Sequence, residues 1–302
     1  MKGFLHYKWL LLPLLMLLAL QAMARSHSIL VVKSSDNRFF NRSIETLVEH
    51  TGPSFSYRIA TLEQLTKQPS LMQDIDVMVT FGIRAADYAA KALNHTPVLH
   101  SYITEQQYLE HPRNNNHHSV LLNQPLQRYV RFTQLLTRAR SVGILSNQKH
   151  PIKPSVLAAL QKKLDIEIRQ SLLGKDDNPI NAARDLLQHS DALLALPDPR
   201  IYNRRSLKGI LLTTYRQQKP LISYSPAQVK SGALGAIFST PENIGQQLAN
   251  LIETLLQPSA SKLAAFYYAR YFDIKINRRV AESLELNIAS KESLLKRLKQ
   301  QD

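Results

Sequence analysis

The strongest constraint on this chain is an alternation of short apolar runs with helical stretches, sustained from residue 28 to residue 240. Apolar runs of about four to eight residues, bounded by Gly, Pro, Ser or Asp, read as buried strands. Longer segments with apolar residues at i, i+3 and i+4 read as the helices between them. Strands joined by helical crossovers lie parallel, since a parallel pair cannot be closed by a tight turn. The alternation therefore predicts an α/β chain and excludes an all-β or helical-bundle fold.

The first series places strands at 28–32, 55–60, 75–81, 96–102 and 120–122, with helices at 39–49, 62–71 and 84–93. Ala85, Ala86, Ala89 and Ala90 give the third helix a small face for close packing on a sheet. A second series begins after Asn123-Gln124-Pro125. Its strands are 141–145, 166–169 and 192–196, and its helices 126–138, 155–164, 179–189 and 206–217. The segment 219–240 then offers two strands, 221–224 and 233–238, around a polar turn. A helix at 242–256, a late strand at 268–276 and a basic helix at 291–300 close the chain. Two successive series predict two doubly wound, Rossmann-like lobes with a hinge and an interlobe cleft. The expected division is 25–124 for the first lobe, completed by about 241–276, then 125–240 for the second, with 277–302 as a C-terminal segment.

The amino terminus carries Lys2 and Lys8, an apolar run from Trp9 to Ala24, and small residues at Ala22 and Ala24. This is the pattern of an export signal cut after Ala24; the run is too short for the roughly 20 residues of a membrane span, though an uncleaved anchor is the other reading. Cleavage lowers the formal charge from +15 to +13. The chain has no Cys, so it forms no disulfide, no thiolate metal site and no lipid-modified N-terminal cysteine. Export without thiols fits the periplasm. The basic residues are scattered rather than gathered in a stripe, which argues against a nucleic-acid partner and for a solvated surface, with anionic lipid head groups as a conceivable contact.

Three segments in order carry a resemblance. They are Asp76 to Gly82 with the Ala-rich helix and Thr96-Pro97-Val98, then Leu194 to Asp198, then Pro220 to Ala236 with Val229-Lys230-Ser231-Gly232-Ala233-Leu234. Over nearly the whole mature chain they resemble the solute-binding proteins of ABC importers, in the family that includes tryptophan and tyrosine binders. The resemblance implies a type I periplasmic-binding fold, a small polar, amino-acid-like ligand and an inner-membrane permease as partner. The chain departs from the family pattern at Ile83, at Tyr102-Ile103-Thr104-Glu105 and at Pro199.

In open α/β sheets ligands sit at the carboxyl ends of the strands. There the chain offers Ser34, Ser35, Gly82, Ser146 and Ser223 for a ligand carboxylate, and Phe81, Tyr102 and Tyr224 for an apolar side chain. Asp198 is either the partner of a ligand ammonium or a cap for the following turn. His111, His117 and His118 lie around a run of asparagines that reads as a solvated loop, not a metal site. No Gly-x-Ser-x-Gly, Walker loop or His-Glu-x-x-His occurs, so the chain is read as non-enzymatic and without cofactor. The alternative function keeps the fold as a ligand-sensing or accessory subunit of a membrane receptor.

Overall fold

The computed structural model describes residues 26–111, 114–257 and 263–300. The proposed export signal, 1–24, lies outside the described residues. Strands β1 (His27–Lys33), β2 (Phe55–Thr61), β3 (Val77–Phe81), β4 (Val98–Ile103) and β5 (His117–Leu121) alternate with helices α1 (Arg38–Thr51), α2 (Leu62–Lys67), α3 (Ile83–Ala92) and α4 (Glu105–Glu110). The second series comprises α5 (Leu126–Thr137), β6 (Ser141–Asn147), α6 (Pro154–Leu164), β7 (Glu167–Leu173), α7 (Pro179–Gln188), β8 (Ala192–Leu194), α8 (Leu207–Arg216), β9 (Leu221–Ser223), α9 (Pro226–Lys230) and β10 (Gly235–Phe238). The chain ends with α10 (Pro241–Leu256), β11 (Phe266–Tyr267), β12 (Asp273–Ile276), α11 (Arg278–Ser283) and α12 (Lys291–Gln300).

The strands form two six-stranded sheets, ordered β11-β5-β4-β3-β1-β2 and β12-β10-β9-β8-β6-β7. Every ladder is parallel except β10 with β12. The two sides of β1 show why the central strands β1 and β3 are largely apolar. Ile29 and Val31 pack with Leu47 of α1 and with Ile244, Leu248 and Ile252 of α10. Leu30 and Val32 pack on the opposite side with Leu65, Ala85 and Ala89. A parallel sheet covered on both faces has no solvent side to accept polar residues. In the second sheet Val142, Ile144 and Ile222 meet Phe132, Leu294 and Leu298, while Leu193 and Leu221 meet Leu187 and Ile210.

Four sequence expectations change. The late strand expected at 268–276 is confined to β12 (273–276), which pairs antiparallel with β10 in the second sheet, and just before the expected strand β11 (266–267) extends the first sheet beside β5. The passage 241–276 therefore does not all return to the first lobe, because residues 268–272 cross between the sheets. The polar turn after β9 is the one-turn helix α9, started by Ser225, whose hydroxyl accepts from Ala227 N. The expected helix 62–71 stops at Lys67, two residues before Pro69. The loop around His117 and His118 is shorter than expected: both histidines belong to β5 and are buried. There the His100 and His117 rings meet at 3.2 Å, His100 bonds Thr80 at 2.8 Å, and His111 bonds Asp87 at 2.7 Å. Among the described residues no group of three His, Asp or Glu side chains is arranged to hold a metal.

Candidate functional site

The carboxyl ends of both sheets face one another across three crossovers, near residues 122–125, 239–241 and 268–272. Gln124 Nε2 donates to Ser239 Oγ at 3.0 Å, and Ser239 Oγ donates to the Tyr271 carbonyl at 2.6 Å, so a single chain of bonds ties all three. Arg128 reinforces it, donating to Gln124 Oε1 and to the Ala269 carbonyl. Its guanidinium also lies 4.2 Å from the Phe272 ring centre.

Beside these crossovers lies a cavity of about 510 Å³, walled by both sheets. Phe39, Tyr102, Thr104 and Leu122 come from the first side, and Asp198, Pro199, Tyr224, Ser225 and Phe238 from the second. Asp198 is the sole charged residue in this lining. A cavity with one carboxylate among aromatic rings favours a solute with one cationic nitrogen and an apolar body.

The Tyr102 ring is held by Phe40 at 4.9 Å and Phe81 at 5.8 Å between ring centres, and its hydroxyl shares a 2.7 Å hydrogen bond with Ser43. Burial pushes its phenol up to about 12, so it stays a neutral hydrogen-bonding group. Its φ of +56° lies in the left-handed region, a conformation that costs about 1 kcal/mol for a non-glycine residue. The residues around Tyr102 thus hold it against a local preference, at the rim of the cavity. Burial, opposed by Gln228 and aided by Asp198, also raises the Tyr224 phenol.

The two readings of Asp198 turn out to be compatible. Its Oδ1 accepts from Arg200 N at 2.8 Å and so caps the following turn. Its Oδ2 points to the opposite lobe and accepts from Gln106 Nε2 at 2.7 Å. Beyond this bridge is a second chamber of about 430 Å³ with Ser146, His150, Leu126, Phe266 and Tyr268 in its walls; Asp198 borders both chambers. On the outer edge Glu110 accepts from Arg200 at 3.0 and 3.2 Å and faces His150 Nε2 at 3.1 Å. Partial desolvation opposes ionisation of Glu110, but His150 and Arg200 outweigh it and hold the carboxyl below the usual range.

Of the nine residues singled out from sequence, Tyr102, Asp198 and Tyr224 meet in the first cavity, and Ser146 lines the second chamber. The Ser146 hydroxyl donates to the Gln170 amide oxygen at 2.8 Å. The other five line neither chamber. Ser34 Oγ accepts from Ala85 N at the start of α3, and a Cβ on Gly82 would come within 2.9 Å of that same oxygen. Ser35 is exposed, and Phe81 is fully buried beneath Tyr102. Ser223 is also fully buried, donating to Gln228 Oε1 and accepting from Ser225 N.

Gln106 and Glu110, which reach across the cleft, were not among the sequence candidates. Both sit on α4, a helix the alternation did not reveal. Its signal was nevertheless present: Thr104 Oγ accepts from Gln107 N, and the Gln107 side chain accepts from Thr104 N, a capping box. At six residues the helix was too short to show periodicity.

Three solved structures share this architecture. A conserved domain protein from Vibrio cholerae is 18% identical, with a TM-score of 0.57, over 90% of this chain and 98% of that one. The ABC domain in complex with L-Trp from Streptococcus pneumoniae is 17% identical, with a TM-score of 0.58 over the same two shares. The ligand-free, open structure of a substrate-binding protein with adhesive properties from Clostridium difficile is 12% identical, with a TM-score of 0.66 over 88% and 97%. These similarities speak to the fold, which is two α/β lobes of the type I periplasmic-binding-protein kind. No curated protein matches the chain at a significant level. Residues 59–301 match the family model described as ABC transporter substrate binding protein, and the chain belongs to that family.

Proposed function

We propose that the protein is the periplasmic solute-binding component of an ABC importer, exported by its amino-terminal segment, and that it closes on an amino-acid-like solute in the interlobe cleft. The reading is carried by one observation: the aromatic cavity of about 510 Å³ holds a single carboxylate, Asp198, whose Oδ2 faces across the cleft. The solute's ammonium takes the place of the Gln106 amide on Asp198. Its apolar side chain lies among Tyr102, Tyr224 and Phe39. No Lys or Arg lines the cavity, so the solute carboxylate is met by hydroxyls and backbone N–H groups, with Ser225 and the Thr240 end of α10 the nearest candidates. Affinity then depends on both lobes, and closure by hinge motion at the three crossovers couples binding to a shape the permease recognises.

The test is a thermal-shift screen against L-amino acids and their aromatic amine and carboxylic acid analogues, followed by native mass spectrometry. Stabilisation by solutes that carry an ammonium, and not by the acids alone, supports the reading. A flat response across the set, with no solute retained, removes it.

A further inference from the structure

The excess of positive charge takes no part in the first cavity, whose lining holds one carboxylate and no cation. Part of it gathers at the far end of the second lobe. There α8 and α11 border a groove of about 730 Å³ that also reaches Pro220 and Leu221, at the amino-terminal end of β9. Ligand clefts open at the other end of the strands, so this groove and the solute cavity lie at opposite ends of one sheet.

Helix α8 has two faces. Ile210, Thr213 and Thr214 are buried, and a Cβ on Gly209 would stand 2.3 Å from Ile180 Cδ1, so α8 sits tightly on α7. Lys208, Leu212 and Tyr215 form an outer stripe at spacings of four and three. Leu212 is 45% exposed and Tyr215 72%, and neither joins a core cluster. Leu211 and Val280 floor the groove, and Arg204, Lys208 and Arg279 stand exposed in its walls. A fourth cation, Lys219, is turned to the Leu187 carbonyl. No Asp or Glu lines the groove, and none of the three exposed cations has a carboxylate within ion-pair distance among the described residues.

We propose that the α8–α11 groove is a membrane-docking surface that binds anionic phospholipid, seating Leu212 and Tyr215 in the headgroup and acyl boundary with Arg204, Lys208 and Arg279 on the lipid phosphates. Exposed leucine and tyrosine flanked by unpaired cations of one sign is the composition of an interfacial helix face. Each such cation adds about 1 kcal/mol of attraction to an anionic leaflet and loses it within a Debye length. An acidic protein segment has the same charge but does not need two large apolar groups standing proud of the surface. Docking at this end lays the second lobe on the bilayer and leaves the cleft unobstructed.

The test is vesicle co-sedimentation of the protein purified from cells expressing the full chain. The vesicles are phosphatidylcholine alone or phosphatidylcholine with 30% phosphatidylglycerol. Three proteins are compared: wild type, Lys208→Glu with Arg279→Glu, and a control, Lys296→Glu with Lys299→Glu, which makes the same charge change outside the groove. The amino-terminal segment is common to all three, and all four substituted residues are exposed. Wild type and control are expected to partition to the anionic vesicles, and the groove variant on the order of tenfold less. Tyr215→Ala should weaken partitioning with no change of charge. Equal loss in both double variants would reduce the effect to bulk charge and overturn the proposal. So would binding by wild type to polyglutamate but not to anionic vesicles, which would make the groove a site for an acidic protein segment.

Discussion

Gln106 of the first lobe and Asp198 of the second are joined by a 2.7 Å hydrogen bond that divides the interlobe space into two chambers. It is a charge-assisted contact from a short helix to a carboxylate only 5% exposed. In the function proposed above, a cationic solute competes with the Gln106 amide for that oxygen, and the pair would then set both the solute's charge and the resting shape. Asp198→Asn keeps the shape and removes the charge, and should weaken binding of an ammonium solute by about 10- to 100-fold, as read by calorimetry. Gln106→Ala should increase the radius of gyration of the ligand-free protein in small-angle scattering. An unchanged radius would mean that the crossovers alone set the resting shape.

Tyr224 and Ser223 are neighbours with different duties. Tyr224→Ala removes a cavity wall and should weaken solute binding roughly tenfold with little change in melting temperature. Ser223→Ala removes a buried bond to Gln228 and should lower stability by about 1–3 kcal/mol in denaturant titration, leaving solute affinity nearly intact.

Acid should weaken the fold through the histidines of β4 and β5. Burial pushes His100 well below its usual value, with His117 and His111 adding to the effect, and burial also lowers His117. For a base with a depressed folded pKa, the unfolded chain takes up the proton first as pH falls. The stability is therefore full above the ordinary histidine value near 6.5 and declines below it, by at most about 1.4 kcal/mol per pH unit for each group. Chemical denaturation at pH 7.5, 6.0 and 5.0 should show the decline, and His100→Gln should flatten it. A pH-independent midpoint for wild type would show that these two rings do not control stability in acid.

Gly245 permits the contact between α10 and α1. A Cβ there would lie 2.4 Å from the Ser43 carbonyl oxygen and 3.1 Å from Leu47 N. Both are backbone atoms that cannot swing aside, so Gly245→Ala should cost about 1–3 kcal/mol, visible as a lower melting temperature. Ser283→Ala, at an exposed position, should be nearly silent.

Much of the architecture was legible because its cause is local. The alternation of buried runs and amphipathic helices marked β1 to β10 to within a few residues, since strands covered on both faces must be apolar and their crossovers must be helical. The failures share a cause as well. His117 and His118 look polar but lie inside β5, where they find partners in His100 and the Ala264 carbonyl. The segment 268–276 looks like one strand, yet only 273–276 pairs, in the second sheet, while residues 266–267 just before it join the first. Local pattern reports burial and period, not which neighbour satisfies a polar group or accepts an edge.

The site divides in the same way. Sequence alone fixed that hydroxyls, rings and an aspartate stand at the carboxyl ends of parallel strands, because strand order and loop position follow from the chain's own periodicity. Only the tertiary structure decided which of them share a space. Ser34, Gly82 and Ser223 line neither chamber, while Tyr102, Asp198 and Tyr224 converge on one cavity and Gln106 reaches it from a helix too short to be periodic. The reason is geometric: the cleft is made by two sheets brought together through three crossovers, and contacts between residues some 90 positions apart depend on that approach.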